Sequence, residues 1–170
     1  MPSTLRLIES CIPSLRRYAS ALLRERQEVD DLVQDCLVRA LDQLHTRRED
    51  ADMHGWLFAI MHNVFLSRLR QSRRRGYMEP ADQVAEPTLG IRPTQEEHVH
   101  TRDVIRALGS LPEEQRSVLF LVVVEDLSYS EVAEVLAIPI GTVMSRLARA
   151  RERLRRILES GPPVGLRSVN

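Results

Sequence analysis

Leu5, Ile8, Ile12, Leu15, Ala19 and Leu22 recur at steps of three and four, the spacing that lines up one side of a helix. A second stripe of Val29, Leu32, Val33, Cys36, Leu37, Ala40, Leu41 and Leu44 keeps that period and leaves Asp30, Asp31, Gln34, Asp35 and Asp42 toward water. Three of these acids fall early in the helix, where the helix dipole favours negative charge. A third helix is predicted over about 54–75, with Leu57, Ile60, Met61 and Val64 inward and a block of arginines at its end. From Gly76 the period is lost, and Pro80, Pro87, Pro93 and Gly90 mark a linker to about residue 95. A helix over about 96–108 is predicted to stop at Gly109, and Pro112-Glu113-Glu114 opens another that carries the apolar run 118–124. Ser128 followed by Glu131 is a capping box for a short helix ending near Leu136. The turn Ala137-Ile138-Pro139 leads to a last helix over about 140–158, stopped by Gly161-Pro162-Pro163, with a frayed tail beyond.

These elements predict an all-α chain, two small helical domains joined by a flexible linker. Aromatic residues are 4% of the 170, too few for a β sandwich, and 43% apolar residues suffice for one or two small cores. The longest apolar run is seven residues, far short of a membrane span. Residues 1–6 have none of the pattern of a secretion signal, so the expected location is the cytoplasm, without membrane insertion. Cys11 and Cys36 both sit on apolar stripes and are expected to be buried free thiols.

Charge changes the picture more than composition does. The net charge is zero, yet all 24 basic residues are arginine and they are segregated. Arg68, Arg70, Arg73, Arg74 and Arg75 form one block; Arg146, Arg149, Arg151, Arg153, Arg155 and Arg156 form another around the single acid Glu152. Between them, residues 76–134 hold 12 acids against four arginines. Two basic patches therefore flank an acidic middle.

A helix, a three-residue turn and a second helix is the layout that presents its second helix to the DNA major groove. In that second helix Val143, Leu147, Ala150 and Leu154 share the inward face, while Thr142, Ser145, Arg146 and Arg149 recur on another. Arginine bonds guanine bidentately or pairs with phosphate, and serine and threonine reach phosphates or base edges. A plain helical hairpin with a solvated arginine face is the alternative at this point. In the third helix Trp56, Phe58 and Phe65 precede the arginine block, the combination that holds single strands by stacking and phosphate pairing, although a tryptophan there also serves as core. Enzyme chemistry finds no support: the group Glu96, Glu97, His98 and His100 lacks the spacing of a zinc site, and there is no phosphate-binding glycine loop and no nucleophile elbow. No catalytic residue, metal or cofactor is expected.

Taken together and in order, Val29-Asp30-Asp31-Leu32-Val33-Gln34-Asp35, Gly55-Trp56-Leu57-Phe58-Ala59-Ile60 with Asn63, Leu111-Pro112-Glu113-Glu114-Gln115-Arg116, and Ile138-Pro139-Ile140-Gly141-Thr142-Val143 with Ser145-Arg146-Leu147 and Arg149-Ala150-Arg151 resemble an extracytoplasmic-function sigma factor. Cys11-Ile12-Pro13-Ser14-Leu15-Arg16 is similar to the subgroup that drives general stress responses. The resemblance implies a sigma-2-like domain of three to four helices over 1–75, a linker over 76–96, a sigma-4-like helix-turn-helix domain over 97–160 and a tail over 161–170. It implies an alternative sigma factor, not an enzyme, that binds core RNA polymerase and directs transcription initiation at selected promoters.

By the same resemblance Asp30, Asp31, Gln34 and Asp35 would bind the clamp coiled coil of the polymerase, and the second domain would approach its flap. Trp56, Asn63, Arg68, Arg70 and Arg73, with the loop over about 45–53, would hold the opened −10 strand. Thr142, Met144, Ser145, Arg146 and Arg149 would read the −35 duplex. The family usually has a basic residue where Met144 stands, and arginines where His54 and His62 stand, so three departures fall among the expected DNA contacts. Promoter DNA and an anti-sigma protein are the further partners implied. Two other classes share parts of this pattern: a sigma-like decoy that sequesters an anti-sigma protein without touching DNA, and a stand-alone helix-turn-helix repressor. A decoy would have lost the arginines of the last helix, and a repressor would not carry the first half of this chain.

Overall fold

A computed structural model describes residues 2–48, 50–76, 104 and 106–160; the expected linker over 76–96, all but Gly76, the group Glu96 to His100 and the tail from 161 lie outside the described residues. Among the described residues six α-helices of eight residues or more run in order: α1 (Pro2–Leu22), α2 (Arg26–Asp42), α3 (Met53–Arg74), α4 (Glu113–Val123), α5 (Tyr129–Leu136) and α6 (Ile140–Glu159), with a short 3-10 turn at Leu44–Thr46. Residues 106–109 are helical too, the described end of the helix expected over 96–108. No strand occurs among the described residues, as the all-α reading required.

The local reasons are those the residue pattern suggested. Asp52 caps α3, accepting a hydrogen bond from the Gly55 amide at 2.7 Å. At α5 the Ser128 hydroxyl accepts from the Glu131 amide at 3.2 Å while the Glu131 carboxylate accepts from the Ser128 amide at 2.7 Å, a complete capping box. The turn into α6 is made by Ala137, which sits in the left-handed region at φ 53° and ends α5. Its amide donates to the Glu134 carbonyl and the Ile138 amide to the Ala133 carbonyl. An alanine there carries the Cβ strain that glycine avoids at this position.

The first three helices pack on one another, α2 against α3 and both against α1; α4, α5 and α6 form a second trio. The relative placement of these trios, which periodicity leaves open, is a close one. α1 packs on α4 and α3 on α5, so the buried residues of both halves form a single contiguous core. Tyr18, Phe58, Leu15, Leu32, Leu57 and Met61 from the first half are fully buried, as are Leu121, Leu147, Val118, Val132 and Val143 from the second.

Periodicity overstated burial in three places. Leu5 and Leu41 lie on predicted apolar stripes yet are 47% and 50% exposed, because they fall in the first turn of α1 and the last turn of α2, beyond neighbouring helices. The run 118–124 is buried only in its first half, and Val123 and Val124 reach solvent where α4 ends. Cys11 and Cys36 are buried free thiols as expected; Cys36 donates to the Leu57 carbonyl, and burial pushes its pKa up to about 12.

Replacing Ser128 by alanine removes one half of the capping box and is expected to lower stability by about 1 kcal/mol. Ala137→Gly relieves the left-handed strain and is expected to raise stability by up to about 1 kcal/mol. Urea midpoints of the two variants, moving in opposite directions from wild type, check both.

Candidate functional site

In α6, Val143, Leu147 and Ala150 are buried against α4 and α5, which fixes the opposite side of the helix toward water. Ser145 and Arg149 of the predicted face are exposed, with Met144, Ala148, Arg151 and Arg153 beside them. Arg149, Arg151 and Arg153 make no ion pair among the described residues. Arg155 and Arg156 differ: both bond to Glu152, and Arg155 also to Glu159, at 2.9–3.2 Å, which holds the Glu152 carboxyl below its ordinary range. The available positive charge of the second basic block is thus concentrated in its middle, at Arg149, Arg151 and Arg153.

Arg146 stands apart from the other predicted contacts. Its side chain is 24% exposed and lies 3.5 Å from the Glu114 carboxylate. It lines a small cavity of about 170 Å³ with His62 and Leu66 of α3 and with Glu113, Leu136 and Ile138 of its own half. The reason is angular: Arg146 sits on the flank of α6 that turns toward the junction between the halves.

That junction is built on charged and aromatic groups. The Glu125 carboxylate, just past α4, has a side chain only 3% exposed. It accepts from Arg17 Nε and Nη2 of α1 at 3.2 and 3.4 Å and lies 3.5 Å from Nε2 of His54 in α3. Tyr18 of α1 meets Phe58 edge-on at 5.3 Å and Phe120 of α4 at 5.6 Å between ring centroids. Its hydroxyl is 3.1 Å from His62 Nδ1, a hydrogen bond in which the histidine tautomer decides the donor. His54 and His62 therefore belong to the junction, one beside Glu125 and the other bonded to Tyr18, partners that the sequence alone did not reveal.

On α3, Trp56, Asn63 and Arg70 are seven residues apart and so share one side of the helix over roughly 21 Å. Trp56 is half-buried against the core, while Asn63 and Arg70 are exposed. Arg73 is exposed near the end of the helix. Arg68 turns a third of the way round and bonds Asp35 of α2 at 2.5 Å. The predicted −10 set thus divides into a stripe and a tie between α2 and α3. The loop before α3 is ordered by Arg47 donating to the Ala51 carbonyl and Arg48 pairing with Asp50.

The predicted polymerase set lies on the outer face of α2. Asp30 pairs with Arg16 at 2.6 Å, Asp31 accepts from Gln27 at 3.2 Å, and Gln34 is exposed. Beside them stand Val38 and Leu41, 58% and 50% exposed. Sequence reasoning missed this apolar pair because Leu41 fits the core period; an exposed valine between Asp35 and Asp42 was the signal available. The three sets lie on different helices, the first two joined by the Arg68–Asp35 pair, and the described residues contain no cluster of histidine, cysteine, aspartate or glutamate able to hold a metal ion. No helix among the described residues is long and apolar enough to cross a membrane.

Known proteins agree with this layout half by half. The family model "Sigma-70, region 4" matches residues 101–154, and "Sigma2 domain of PhyR" matches residues 8–62. The ECF RNA polymerase sigma factor EcfG of Rhodopseudomonas palustris is 35% identical over 168 residues, 95% of this chain and 92% of that one. The ECF RNA polymerase sigma factor SigE of Mycolicibacterium smegmatis is 33% identical over 159 residues, 91% of this chain and 61% of that one. Among solved structures, the sigma factor RpoE in complex with the anti-sigma factor NepR from Bartonella quintana superposes with a TM-score of 0.79 at 29% identity, covering 95% of this chain and 100% of that one. The chain belongs to the extracytoplasmic-function (ECF) RNA polymerase sigma factor family. Such proteins are polymerase subunits for promoter-specific initiation and do not form an enzyme class.

Burial, and then the nearby Arg146 charge, lower the His62 pKa from 6.5 to about 4. The unfolded chain therefore takes up a proton between those values and the folded chain does not, so this contribution to stability is present above pH 6.5 and is lost as pH falls toward 4. Glu113 acts in the opposite sense, since burial and Glu114 raise its pKa and favour its protonated form in the folded chain. Comparison with His62→Gln isolates the histidine: the stability advantage of wild type should shrink below pH 6.5 with a slope of at most about 1.4 kcal/mol per pH unit. A pH-independent difference in urea unfolding would contradict the desolvation of His62.

Proposed function

We propose that this chain joins core RNA polymerase through the outer face of α2, holds the opened −10 strand along α3 and reads the −35 duplex with α6. The observation that carries the reading is the uncovered face of α6, where Ser145 and Arg149 remain exposed on the second helix of a helix-turn-helix, with Arg153 a turn further on. An arginine face with no acid partner among the described residues, beside a buried aliphatic face, is what duplex recognition needs: phosphate pairing for affinity and bidentate contacts for sequence. On α3, Trp56 supplies a stacking surface, while Asn63 and Arg70 supply polar and phosphate contacts along the same side; Arg68 supports them from α2. On α2, Asp31, Gln34, Val38 and Leu41 make a mixed acidic and apolar patch suited to a basic coiled coil. This function belongs to the cytoplasm, where the polymerase works, and the 11–16 segment supports the general-stress subgroup.

The packed junction is a closed form in this reading. Arg146 is turned to Glu114 and α3, so binding −10 and −35 elements together requires the halves to separate. The groove along the junction supports an anti-sigma partner. It has a volume of about 220 Å³ and is lined by Ala21, Leu108, Leu119, Phe120, Val123 and their neighbours, with Arg116 at its side. An amphipathic helix presenting apolar residues and an acid fits that surface. The match of residues 8–62 to a sigma2 domain of PhyR favours a second reading, a decoy that binds an anti-sigma protein without DNA. The exposed arginines of α6 oppose it.

The deciding experiment mixes the purified chain with sigma-free core polymerase and maps transcript starts on bacterial genomic DNA. Specific starts are expected; a folded chain that neither binds core nor yields starts, yet binds an anti-sigma protein, supports the decoy. Asp31→Arg is expected to abolish core binding with the helical circular dichroism signal retained. Arg149→Ala is expected to cost about 1 to 3 kcal/mol in −35 binding, and an unchanged footprint would contradict the placement of the reading face. Glu125→Gln, which removes the buried charge joining α1, α3 and α4, is expected to raise the affinity of the isolated chain for −35 duplex; no gain would argue against closure as a restraint.

A further inference from the structure

The first turns of α6 expose two large apolar side chains that neither the core nor the junction uses. Ile140 is 47% exposed and Met144 is 53% exposed. They are four residues apart and so lie on one side of the helix. Arg146 occupies the flank that turns toward the junction, and the packed halves leave Ile140 and Met144 uncovered. Their neighbours are small or polar: Ala148 is the next residue along the same side, Ser145 is exposed, and a Cβ added to Gly141 would meet nothing within 4 Å. Met144 therefore projects beyond its surroundings, with Arg149 and Arg151 a turn or two further on.

Two exposed residues are far too small a patch for a stable protein interface, which takes about 800 Å² from each partner. The arginines beside them point instead to a polyanion. On a helix-turn-helix, the first turns of the second helix are the part that meets base edges. Among the groups that base pairs present in the major groove, the thymine 5-methyl is the apolar one. A basic residue at position 144, the residue the family usually has, would seek a phosphate or guanine; a thioether of three rotatable bonds seeks a methyl group and adapts to its position.

We infer that Met144, supported by Ile140, is a specificity-determining residue that reads the 5-methyl group of a thymine in the −35 element. The inference rests on the proposed duplex-reading role of α6 and adds the chemistry of one contact to it. Arg149 supplies affinity and polar readout, while Met144 discriminates thymine from the other bases and from uracil. Gly141 and Ala148 allow the helix backbone the close approach that a methyl contact requires.

The test uses holoenzyme reconstituted from full chain and core polymerase on a promoter whose start it selects. Each thymine of the −35 element, on either strand, is replaced in turn by uracil, which removes the methyl group and keeps the pairing. At one position uracil is expected to weaken wild-type binding by about three- to fivefold, the scale of one buried methyl group. Met144→Ala should lose that sensitivity, Met144→Leu should retain it, and Met144→Arg should change the preferred base at that position. Arg149→Ala should bind more weakly but remain sensitive to uracil. If Arg149→Ala weakens the footprint and no position responds to uracil, or if the response persists in both Met144→Ala and Ile140→Ala, the methyl contact is wrong while the duplex-reading role of α6 stands. If the folded chain makes no sequence-dependent −35 footprint in holoenzyme, both fall together.

Discussion

The arrangement of this molecule depends on one fully buried side chain, Tyr18. Its ring is wedged between Phe58 of the first helical trio and Phe120 of the second, and its hydroxyl bonds His62. Burial of a phenol requires a partner for its oxygen, and that requirement fixes the rotation of α1 against α3. With α1 set, Arg17, the residue before Tyr18, reaches Glu125 and closes the edge of the junction. Each trio buries its apolar stripe only partly on its own, and the remainder is covered by the other half.

The same junction divides the charge of the chain into groups with different tasks. A net charge of zero conceals local matching. Asp30 and Asp35 are tied to Arg16 and Arg68, Glu125 to Arg17 and Glu114 to Arg146. Exposed pairs of this kind contribute little to stability, but they set the directions of the side chains involved. Glu125 is the exception, because a carboxylate held out of water depends on its partners and makes the junction sensitive to their loss. Among the described residues Arg149, Arg151 and Arg153 are left without an acid partner, and the proposed function assigns that exposed part of α6 to nucleic acid.

In the proposed function, recognition and closure compete for one helix. Arg146 turns toward the junction, while 140, 144, 145 and 149 stay in solvent. A helix has only about 3.6 residues per turn, so a helix that packs on two neighbours and also borders a third surface has little circumference left for DNA. The closed form therefore leaves part of the reading face open and covers its edge.

Much of this was legible in the residue order. The helical periods, the capping box at Ser128, the stop at Leu136 and the inward face of Val143, Leu147 and Ala150 follow from spacing alone, because a helix repeats by local geometry that does not depend on distant contacts. The motifs were sufficient to name the family, and the exposed Ser145 and Arg149 lie on the face their spacing predicted. Other features were decided only by tertiary contacts. Leu41 fits the core period but lies exposed at the end of α2, and Arg68 fits the arginine block but answers Asp35 across 33 residues of sequence. His54 and His62 take their partners Glu125 and Tyr18 from segments distant in sequence, which no local spacing predicts. Periodicity specifies which side of a helix is apolar, and pairing across a junction depends on which helix end meets which, a relation between segments distant in sequence.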